Sequence, residues 1–306
     1  MKKLKNQFSW SFSRQRLFKE CKRKYYLNHY GMWNGWQNDA DERTKKIYLL
    51  KKMTNRYMLS GGAVHDIIKI IIMNFEVDAI MEFPQAEELL HEKLRKAYTQ
   101  SKKQDWKKNP KDNCNLSEHY FNENISKEQW IQFRENASAC LKGFYEFTDY
   151  EIIKNSDSNT WFESPKFDTF EFRGVKIFSE PDFAYKKNDI IIIYDWKTGK
   201  ISPDDKIQLL IYALYAKNKW GADFSKIQLS DVYLKDSASV YVHDVEEKIP
   251  EVESMMQSSI KEMQSMLIDV ESNTANEVDF KMTDDTNKCR FCSFKEICHP
   301  DNWEEL

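Results

Sequence analysis

The distribution of apolar and polar positions predicts β-strands in the second half of the chain. Residues 190–194 are four isoleucines and a tyrosine, a composition typical of a buried strand, and Thr198-Gly199-Lys200 then interrupts the run. A second strand is predicted over residues 175–185. With the isoleucine strand, taken as 189–196, this gives a predicted meander that begins with strands over residues 161–164 and 167–173. Strands over residues 227–234 and 239–243 complete the predicted sheet.

Apolar residues three and four positions apart predict amphipathic helices on both sides of this region. Ser13 is predicted to cap the first of them. The predicted helices cover residues 13–30, 43–59, 62–75, 85–98, 126–150, 204–217 and 250–270. These elements predict an α/β fold in which a mixed sheet core is flanked by helices. We expect one domain over residues 1–306, with a mainly helical region over 1–150, the α/β core over 160–245 and a C-terminal helical segment over 250–306.

Composition and charge narrow the class of protein. The chain has 306 residues, 41% of them hydrophobic, which is enough for a globular core, and its net charge is −3, so no global positive charge indicates nucleic-acid binding. The charge is unevenly distributed, because residues 1–30 carry nine Lys or Arg against one Glu, whereas residues 241–306 carry sixteen Asp or Glu against six Lys or Arg. Aromatic residues alternate with the basic ones near the N-terminus. This pattern suits single-stranded nucleic acid, although the same rings can pack into the core.

Two carboxylates and a lysine end two neighbouring predicted strands. Pro181-Asp182 is separated by twelve residues from Asp195-Trp196-Lys197. Adjacent carboxylates attract a hard divalent cation, and Mg²⁺ and Mn²⁺ prefer oxygen ligands. Lys197 follows Asp195 by two residues and therefore faces the same side of the strand, where it can hold a water beside the metal. This arrangement suits phosphodiester hydrolysis; the alternative is a solvated strand edge with a surface ion pair.

Two helical segments add candidate residues. His65 follows Gly61-Gly62 near the predicted start of an apolar helix. A neutral imidazole is a common metal ligand, but the same pattern also fits a core histidine. Gln208 and Tyr212 are four residues apart and share one face of their helix, which can equally be an ordinary amphipathic helix.

Four of the six cysteines form a second candidate site. Cys21 lies near the N-terminus, and Cys289-x₂-Cys292-x₅-Cys298 lies near the C-terminus. With no signal peptide and no run of 18 apolar residues, we expect a cytoplasmic protein that contacts no membrane and forms no disulfides. Four thiolates suit a [4Fe–4S] cluster or a structural zinc ion, and spacing does not separate the two metals. The other two cysteines, Cys114 and Cys140, are isolated and are predicted to be free thiols, and His299 is a candidate ligand in a zinc site.

These motifs resemble the PD-(D/E)XK nuclease superfamily, in particular RecB-like, Cas4-like and AddB-like nucleases. The resemblance consists of separate motifs distributed over most of the chain. It implies a restriction-endonuclease-like fold and an iron–sulfur cluster that joins the N-terminal cysteine to the C-terminal three. It implies that His65, Asp182, Asp195 and the backbone carbonyl of Trp196 are ligands of Mg²⁺ or Mn²⁺. Lys197 would then orient water or stabilise charge, and Gln208 and Tyr212 would position the substrate. Cys21, Cys289, Cys292 and Cys298 would be the [4Fe–4S] ligands, with zinc as the other occupant of that site.

The resemblance further implies a metal-dependent deoxyribonuclease. We expect an exonuclease on single-stranded DNA that acts in DNA repair, CRISPR adaptation or phage defence, with a helicase or a CRISPR or defence protein as partner. The alternative is a non-catalytic DNA-binding or scaffolding subunit. Another is a zinc-containing nucleic-acid-binding module in which Asp182 and Asp195 are surface carboxylates. Glu163 and Glu180 are candidate auxiliary acids, the latter because it is predicted to share a strand face with Asp182.

Overall fold

The isoleucine-rich run forms the second strand of a four-stranded mixed sheet in the computed structural model, which describes residues 5–306. The strands are β1 (Thr169–Phe172), β2 (Val175–Phe178), β3 (Phe183–Lys187), β4 (Ile190–Lys197), β5 (Ile227–Tyr233), β6 (Ala238–Val242), β7 (Leu267–Asp269) and β8 (Thr274–Ala275). In the sheet of order β3-β4-β5-β6, β4 and β5 run parallel, and both outer pairs are antiparallel. Each of the pairs β1–β2 and β7–β8 forms a two-stranded sheet.

Side-chain caps fix where several of the helices begin. Asn55 accepts a hydrogen bond from the backbone N–H of Met58, and Ser126 forms a capping box with Gln129. The helices are α1 (Phe12–Glu20), α2 (Lys22–Tyr26), α3 (Glu42–Lys52), α4 (Arg56–Phe75), α5 (Phe83–Lys102), α6 (Ser117–Tyr120), α7 (Lys127–Glu146), α8 (Tyr150–Lys154), α9 (Asp205–Trp220), α10 (Val245–Ser265), α11 (Thr286–Arg290) and α12 (Lys295–Cys298). The predicted α/β fold, a mixed sheet with flanking helices, is confirmed.

The chain divides into two compact units. Unit 1 contains the chain up to Met53 together with Glu171–Phe178 and Glu253–Leu306, and unit 2 contains Thr54–Phe170 and Ser179–Val252. The four-stranded sheet lies within unit 2. The expectation of one domain over the whole chain stays a prediction.

The two faces of the sheet in unit 2 have different chemistry, because side chains alternate along each strand. On one face, Tyr194 and Trp196 of β4 pack into an apolar core with residues of α4, α5, α7 and α8. The opposite face carries Asp195 and Lys197, and it meets α9 through Tyr212. Helix α9 also supplies the connection that two parallel strands require.

Unit 1 buries several of the aromatic residues that accompany the basic N-terminal segment. The ring nitrogen of Trp10 donates to Ser259 at 3.0 Å, and its backbone forms an isolated bridge with Ile177. Phe18 and Tyr25 pack edge to face with ring centroids 5.2 Å apart, and both rings are buried. For these three rings, the interpretation as core residues is therefore confirmed.

The predicted strand over residues 175–185 is wrong in its continuity. The chain leaves the extended pairing after Phe178 and resumes it at Phe183, so Asp182 stands just before β3 rather than within a strand. Pro181 lies in the intervening segment, where its missing N–H removes a ladder hydrogen bond. The predicted meander is right for the pairs β1–β2 and β3–β4 but wrong as one sheet, because β1 and β2 form a separate two-stranded sheet. Trp161, in the first predicted strand, forms an isolated bridge with Tyr185 instead of a strand.

Glu180 does not share a strand face with Asp182, because both lie between β2 and β3. Glu180 is exposed, and its charge acts on the phenol of Tyr215. Glu163 is exposed as well.

The helix that carries His65 begins six residues earlier than predicted, at Arg56, so His65 lies in its middle. Gly61 and Gly62 therefore stand inside a helix instead of opening one. A Cβ atom on Gly61 would lie 3.0 Å from the hydroxyl of Thr198, which explains the small residue at this close approach.

The predicted N-terminal helix is also divided, because Cys21 adopts an extended conformation between α1 and α2. Its thiol accepts a hydrogen bond from the backbone N–H of Lys24 at 3.4 Å and so caps α2. The predicted cap Ser13 is replaced by Ser11, which accepts from the backbone N–H of Arg14.

Helix α4 is long and apolar enough to cross a membrane by length and composition alone. Ile67, Ile68 and Ile71 are buried in the core of unit 2. Since the core helix of a soluble protein passes the same test, this property is weak evidence for a membrane span.

Candidate active site

The pairing of β3 with β4 brings the two predicted carboxylates to one place. Asp182 precedes Phe183, which pairs with Tyr194, so it lies beside the residue that follows in β4. One oxygen of Asp182 accepts a hydrogen bond from the backbone N–H of Trp196 at 2.8 Å. The side chain of Asp182 is partly exposed, whereas Asp195 is buried. The two carboxylates therefore lie close together, as predicted.

His65 reaches the same place from helix α4. Its Nδ1 lies 3.1 Å from Oδ1 of Asp182. Burial lowers the pKa of His65, but the carboxylates of Asp182 and Asp195 outweigh burial, and with a hydrogen bond to the backbone of Trp196 they raise it to about 9. The imidazole is therefore paired with a carboxylate, rather than packed as an apolar core residue.

Asp195 is held by three neighbouring side chains. Lys197 Nζ lies 2.5 Å from its Oδ2, the Tyr212 hydroxyl donates to its Oδ1 at 2.8 Å, and Gln208 Nε2 lies 3.5 Å from the same oxygen. Burial and the nearby charge of Asp182 raise the pKa of Asp195 to about 6, against the opposing effect of Lys197 and Tyr212. The two carboxylates thus repel each other in the way that favours a bound cation.

Lys197 is surrounded by acceptors. Its ammonium lies 2.9 Å from Oε1 of Gln208, 3.4 Å from Oδ1 of Asp231 and 3.7 Å from Oδ1 of Asp205, besides its contact with Asp195. Burial lowers the pKa of Lys197, but the three carboxylates outweigh burial and raise it. The side chain is therefore a fixed cation at neutral pH and is not suited to act as a base.

Gln208 and Tyr212 connect helix α9 to this group. Gln208 donates to the hydroxyl of Tyr212 at 2.6 Å, and that hydroxyl donates in turn to Asp195. Tyr212 is only 5% exposed. Its hydroxyl is therefore available to the carboxylate rather than to a large ligand at the surface.

Sequence reasoning missed Asp205 and Asp231. Asp205 resembles an ordinary acidic residue in the first turn of α9, where the helix dipole favours it. Asp231 stands inside the apolar strand β5, and a carboxylate in such a strand is a signal that something nearby pairs with it. Only the parallel register, which places Asp231 opposite Asp195, shows that this partner is Lys197.

The donor atoms around Asp195 suit a divalent cation that prefers oxygen, because they are two carboxylates, an imidazole and the backbone of Trp196. Each of these side chains has another partner here: His65 for Asp182, and Lys197 with Tyr212 for Asp195. Among residues 5–306, no group of three or more His, Cys, Asp or Glu side chains is arranged to hold a metal ion. The donor chemistry fits a cation, and binding one requires these polar contacts to be exchanged.

The four cysteines of the second predicted site all lie in unit 1. Burial raises the pKa of Cys298 to about 12, and the nearby Cys292, Cys21 and Cys289 add to the rise. Burial also raises the pKa of Cys289, with added effects of Cys21 and Asp285, and the pKa of Cys292, with added effects of Cys21 and Cys289. These effects act over several ångströms. The backbone N–H of Arg23 donates to the carbonyl of Lys281 at 3.0 Å, so the segment that carries Cys21 packs against the one that leads to Cys289.

Backbone N–H groups point at two of these thiols. Cys21 accepts from Lys24 and Cys292 accepts from Phe294, each at 3.4 Å. Hydrogen bonds to sulfur are one way in which proteins tune iron–sulfur and zinc sites. The thiol chemistry suits either metal. Within the described chain, however, the four cysteines are not arranged closely enough to hold a metal ion without some rearrangement.

A family comparison agrees with the geometry in unit 2. The family model described as the PD-(D/E)XK nuclease superfamily matches residues 9–299. No curated protein matches the chain at a significant level. The match covers nearly the whole sequence, including every residue of the two candidate sites. The chain therefore belongs to the PD-(D/E)XK nuclease superfamily.

Proposed function

We propose that the protein is a Mg²⁺- or Mn²⁺-dependent deoxyribonuclease that hydrolyses phosphodiester bonds. The observation that carries this proposal is the 2.5 Å contact between Lys197 and Asp195, beside the carboxylate of Asp182 and the imidazole of His65. A fixed ammonium next to two adjacent carboxylates is the pairing that a metal-assisted hydrolase needs. Membership of a nuclease superfamily supports the same conclusion.

Each side chain has a role in this reaction. Asp182, Asp195, His65 and the backbone carbonyl of Trp196 would hold the cation, which when bound lowers the pKa of a water and neutralises the scissile phosphate. Lys197 stays protonated and orients the attacking water or stabilises charge that develops on the phosphate. Gln208 and Tyr212 orient Asp195 and Lys197 through the hydrogen bonds described above.

The proposed substrate is DNA, preferably single-stranded, and the proposed mode is exonucleolytic. The support for a single strand is the basic N-terminal segment with its half-buried rings Phe12 and Tyr26. A place in DNA repair, CRISPR adaptation or phage defence, in the cytoplasm and beside a helicase or other partner, belongs to the same proposal and rests on the resemblance of the motifs.

The test is cleavage of labelled single- and double-stranded DNA by anaerobically purified protein with Mg²⁺, Mn²⁺ or EDTA. We expect metal-dependent cutting that is lost in Asp195→Ala and in Lys197→Ala. The matched control is Lys219→Ala, which removes a lysine of the same unit that pairs with Asp168 at 3.0 Å. Full activity of Lys197→Ala would contradict the assignment, and an inactive but folded wild type would favour the non-catalytic DNA-binding subunit.

We also propose that Cys21, Cys289, Cys292 and Cys298 bind a [4Fe–4S] cluster. The support is their mutual proximity and the N–H groups aimed at two of the sulfurs. The cluster would be structural, because it would connect distant parts of the chain within unit 1. Broad visible absorbance and about four irons per chain are expected; Cys292→Ala should lose both, whereas Cys114→Ala should keep them. Stoichiometric zinc in the wild type would overturn the iron assignment.

A further inference from the structure

Asp231 is a buried carboxylate in unit 2 with no hydrogen bond among the described residues. It is 1% exposed, and neither of its oxygens has a hydrogen-bond partner. The ammonium of Lys197 forms an ion pair with it, with Nζ 3.4 Å from Oδ1. A carboxylate so placed costs free energy to bury unless an opposite charge offsets it. The charge of Lys197 is therefore what offsets the burial of Asp231, since no hydrogen bond in the described chain does so.

Asp205 is the other carboxylate near Lys197 that the sequence did not predict. It differs from Asp231 because its hydrogen bonds stabilise the local fold. Its Oδ2 accepts hydrogen bonds from the backbone N–H of Ser202 at 2.9 Å and from the hydroxyl of Tyr233 at 2.7 Å. Asp205 therefore fixes the start of α9, and only its other oxygen faces the ammonium, at 3.7 Å. By contrast, neither oxygen of Asp231 accepts a hydrogen bond from a described residue.

The ammonium of Lys197 and a metal ion would compete for Asp195. Both oxygens of Asp195 are already in use, Oδ2 by Lys197 and Oδ1 by Tyr212. A cation bound to this carboxylate would repel the ammonium, since like charges a few ångströms apart in a buried site interact strongly. Lys197 then needs another acceptor if it is to stay beside the reacting phosphate.

We propose that Asp231 is the positioning residue that holds the ammonium of Lys197 when Asp195 binds a metal ion. The register places Asp231 directly opposite Asp195 on the neighbouring parallel strand, so a small side-chain rotation carries the ammonium from one carboxylate to the other. This inference rests on the proposed metal-dependent function. It adds a residue that does not touch the substrate and acts through Lys197.

A purely structural role predicts a different outcome for Asp231→Asn. The substitution keeps the shape of the side chain, and in the metal-free protein Lys197 retains its contact with Asp195, so the variant should be about as stable as the wild type. If Asp231 instead stabilised the fold, the same variant would unfold at a lower temperature.

The decisive readout is the accessibility of Lys197 to an amine-reactive ester, followed by peptide mass spectrometry with and without Mn²⁺. In the wild type we expect Lys197 to be protected in both conditions. In Asp231→Asn, labelling of Lys197 should rise severalfold, chiefly with Mn²⁺, and kcat for DNA cleavage should fall about 10- to 100-fold at nearly unchanged KM.

The matched control is Asp168→Asn, which removes the carboxylate that pairs with Lys219 on α9. Lys219 is already 36% exposed, so its labelling should rise further while Lys197 stays protected, which shows that the assay detects a released lysine. If Asp231→Asn does not fold, Asp231→Ser provides the same test. Unchanged protection of Lys197 in the Mn²⁺-loaded variant would overturn the inference. Failure of the proposed function would appear separately, as a wild type that neither binds Mn²⁺ nor cleaves DNA.

Discussion

Nδ1 of His65 and Oδ1 of Asp182 lie 3.1 Å apart, although 117 positions separate them in the chain. One belongs to the middle of a long helix and the other to the residue before a strand. Such a contact joins the helical part of unit 2 to the sheet at the point where the carboxylates meet. The two side chains are therefore close enough to share a ligand once this contact is exchanged for one.

We therefore predict that His65→Asn weakens both metal binding and cleavage. Loss of one metal ligand, or of the partner that orients Asp182, should lower Mn²⁺ affinity and cleavage about 10- to 100-fold. Mn²⁺ affinity can be measured by electron paramagnetic resonance and cleavage on labelled DNA. The control is His91→Asn, because His91 Nε2 contacts Ser138 at 2.8 Å on other helices of the same unit. Equal effects of the two substitutions would contradict the role of His65.

Local sequence patterns were enough to predict the part of this site that lies on single strands and helices. Asp195 and Lys197 share a face because strand side chains alternate, and that inference needed no tertiary information. The start of the His65 helix was misplaced, because two glycines resemble a helix boundary when the Asn55 cap and the buried isoleucines are not known. Asp231 could not be assigned, since its role depends on the register between β4 and β5.

Replacing Tyr212 with Phe tests whether this residue acts on Asp195 or on the nucleic acid. Its hydroxyl donates to Asp195 at 2.8 Å and is buried, so its loss should lower kcat about tenfold and leave KM for DNA nearly unchanged. The control is Tyr215→Phe on the same helix, which removes a hydroxyl bonded to Asp168 at 2.6 Å. A rise in KM at constant kcat would instead indicate direct contact between Tyr212 and the substrate.

Gly143 is required by a close approach of two backbone segments in unit 2. A Cβ atom at this position would lie 1.6 Å from the backbone oxygen of Leu234, which cannot move aside as a flexible side chain can. We predict that Gly143→Ala lowers the free energy of unfolding by about 3 kcal/mol or prevents folding.

The matched substitution is Gly62→Ala, since Gly62 is also inside a helix and has nothing within 4 Å of an added Cβ. There the gain in helix propensity should raise the free energy of unfolding by about 0.5–1 kcal/mol. Urea denaturation followed by circular dichroism measures both. Similar stability of the two variants would show that Leu234 does not constrain this glycine.

Lys51 in unit 1 gives a pH dependence whose sign can be stated. Burial, with the positive charges of Lys52 and Arg14, lowers the pKa of Lys51 from 10.5 to about 8. Between pH 8 and pH 10.5 the unfolded chain therefore binds a proton that the folded chain has released, so this residue makes stability rise with pH in that window. Below pH 8 the charged form is buried at a cost.

Lys51→Met should consequently stabilise the protein at pH 7 and lose this advantage as the pH rises toward 10. The measurement is thermal unfolding of both proteins from pH 7 to pH 10, with Lys52→Met as the control because Lys52 is exposed. A stabilisation that is independent of pH would mean that the methionine acts through apolar packing rather than through the removed charge. A destabilisation at pH 7 would mean that the ammonium of Lys51 makes a favourable contact that outweighs the cost of its burial.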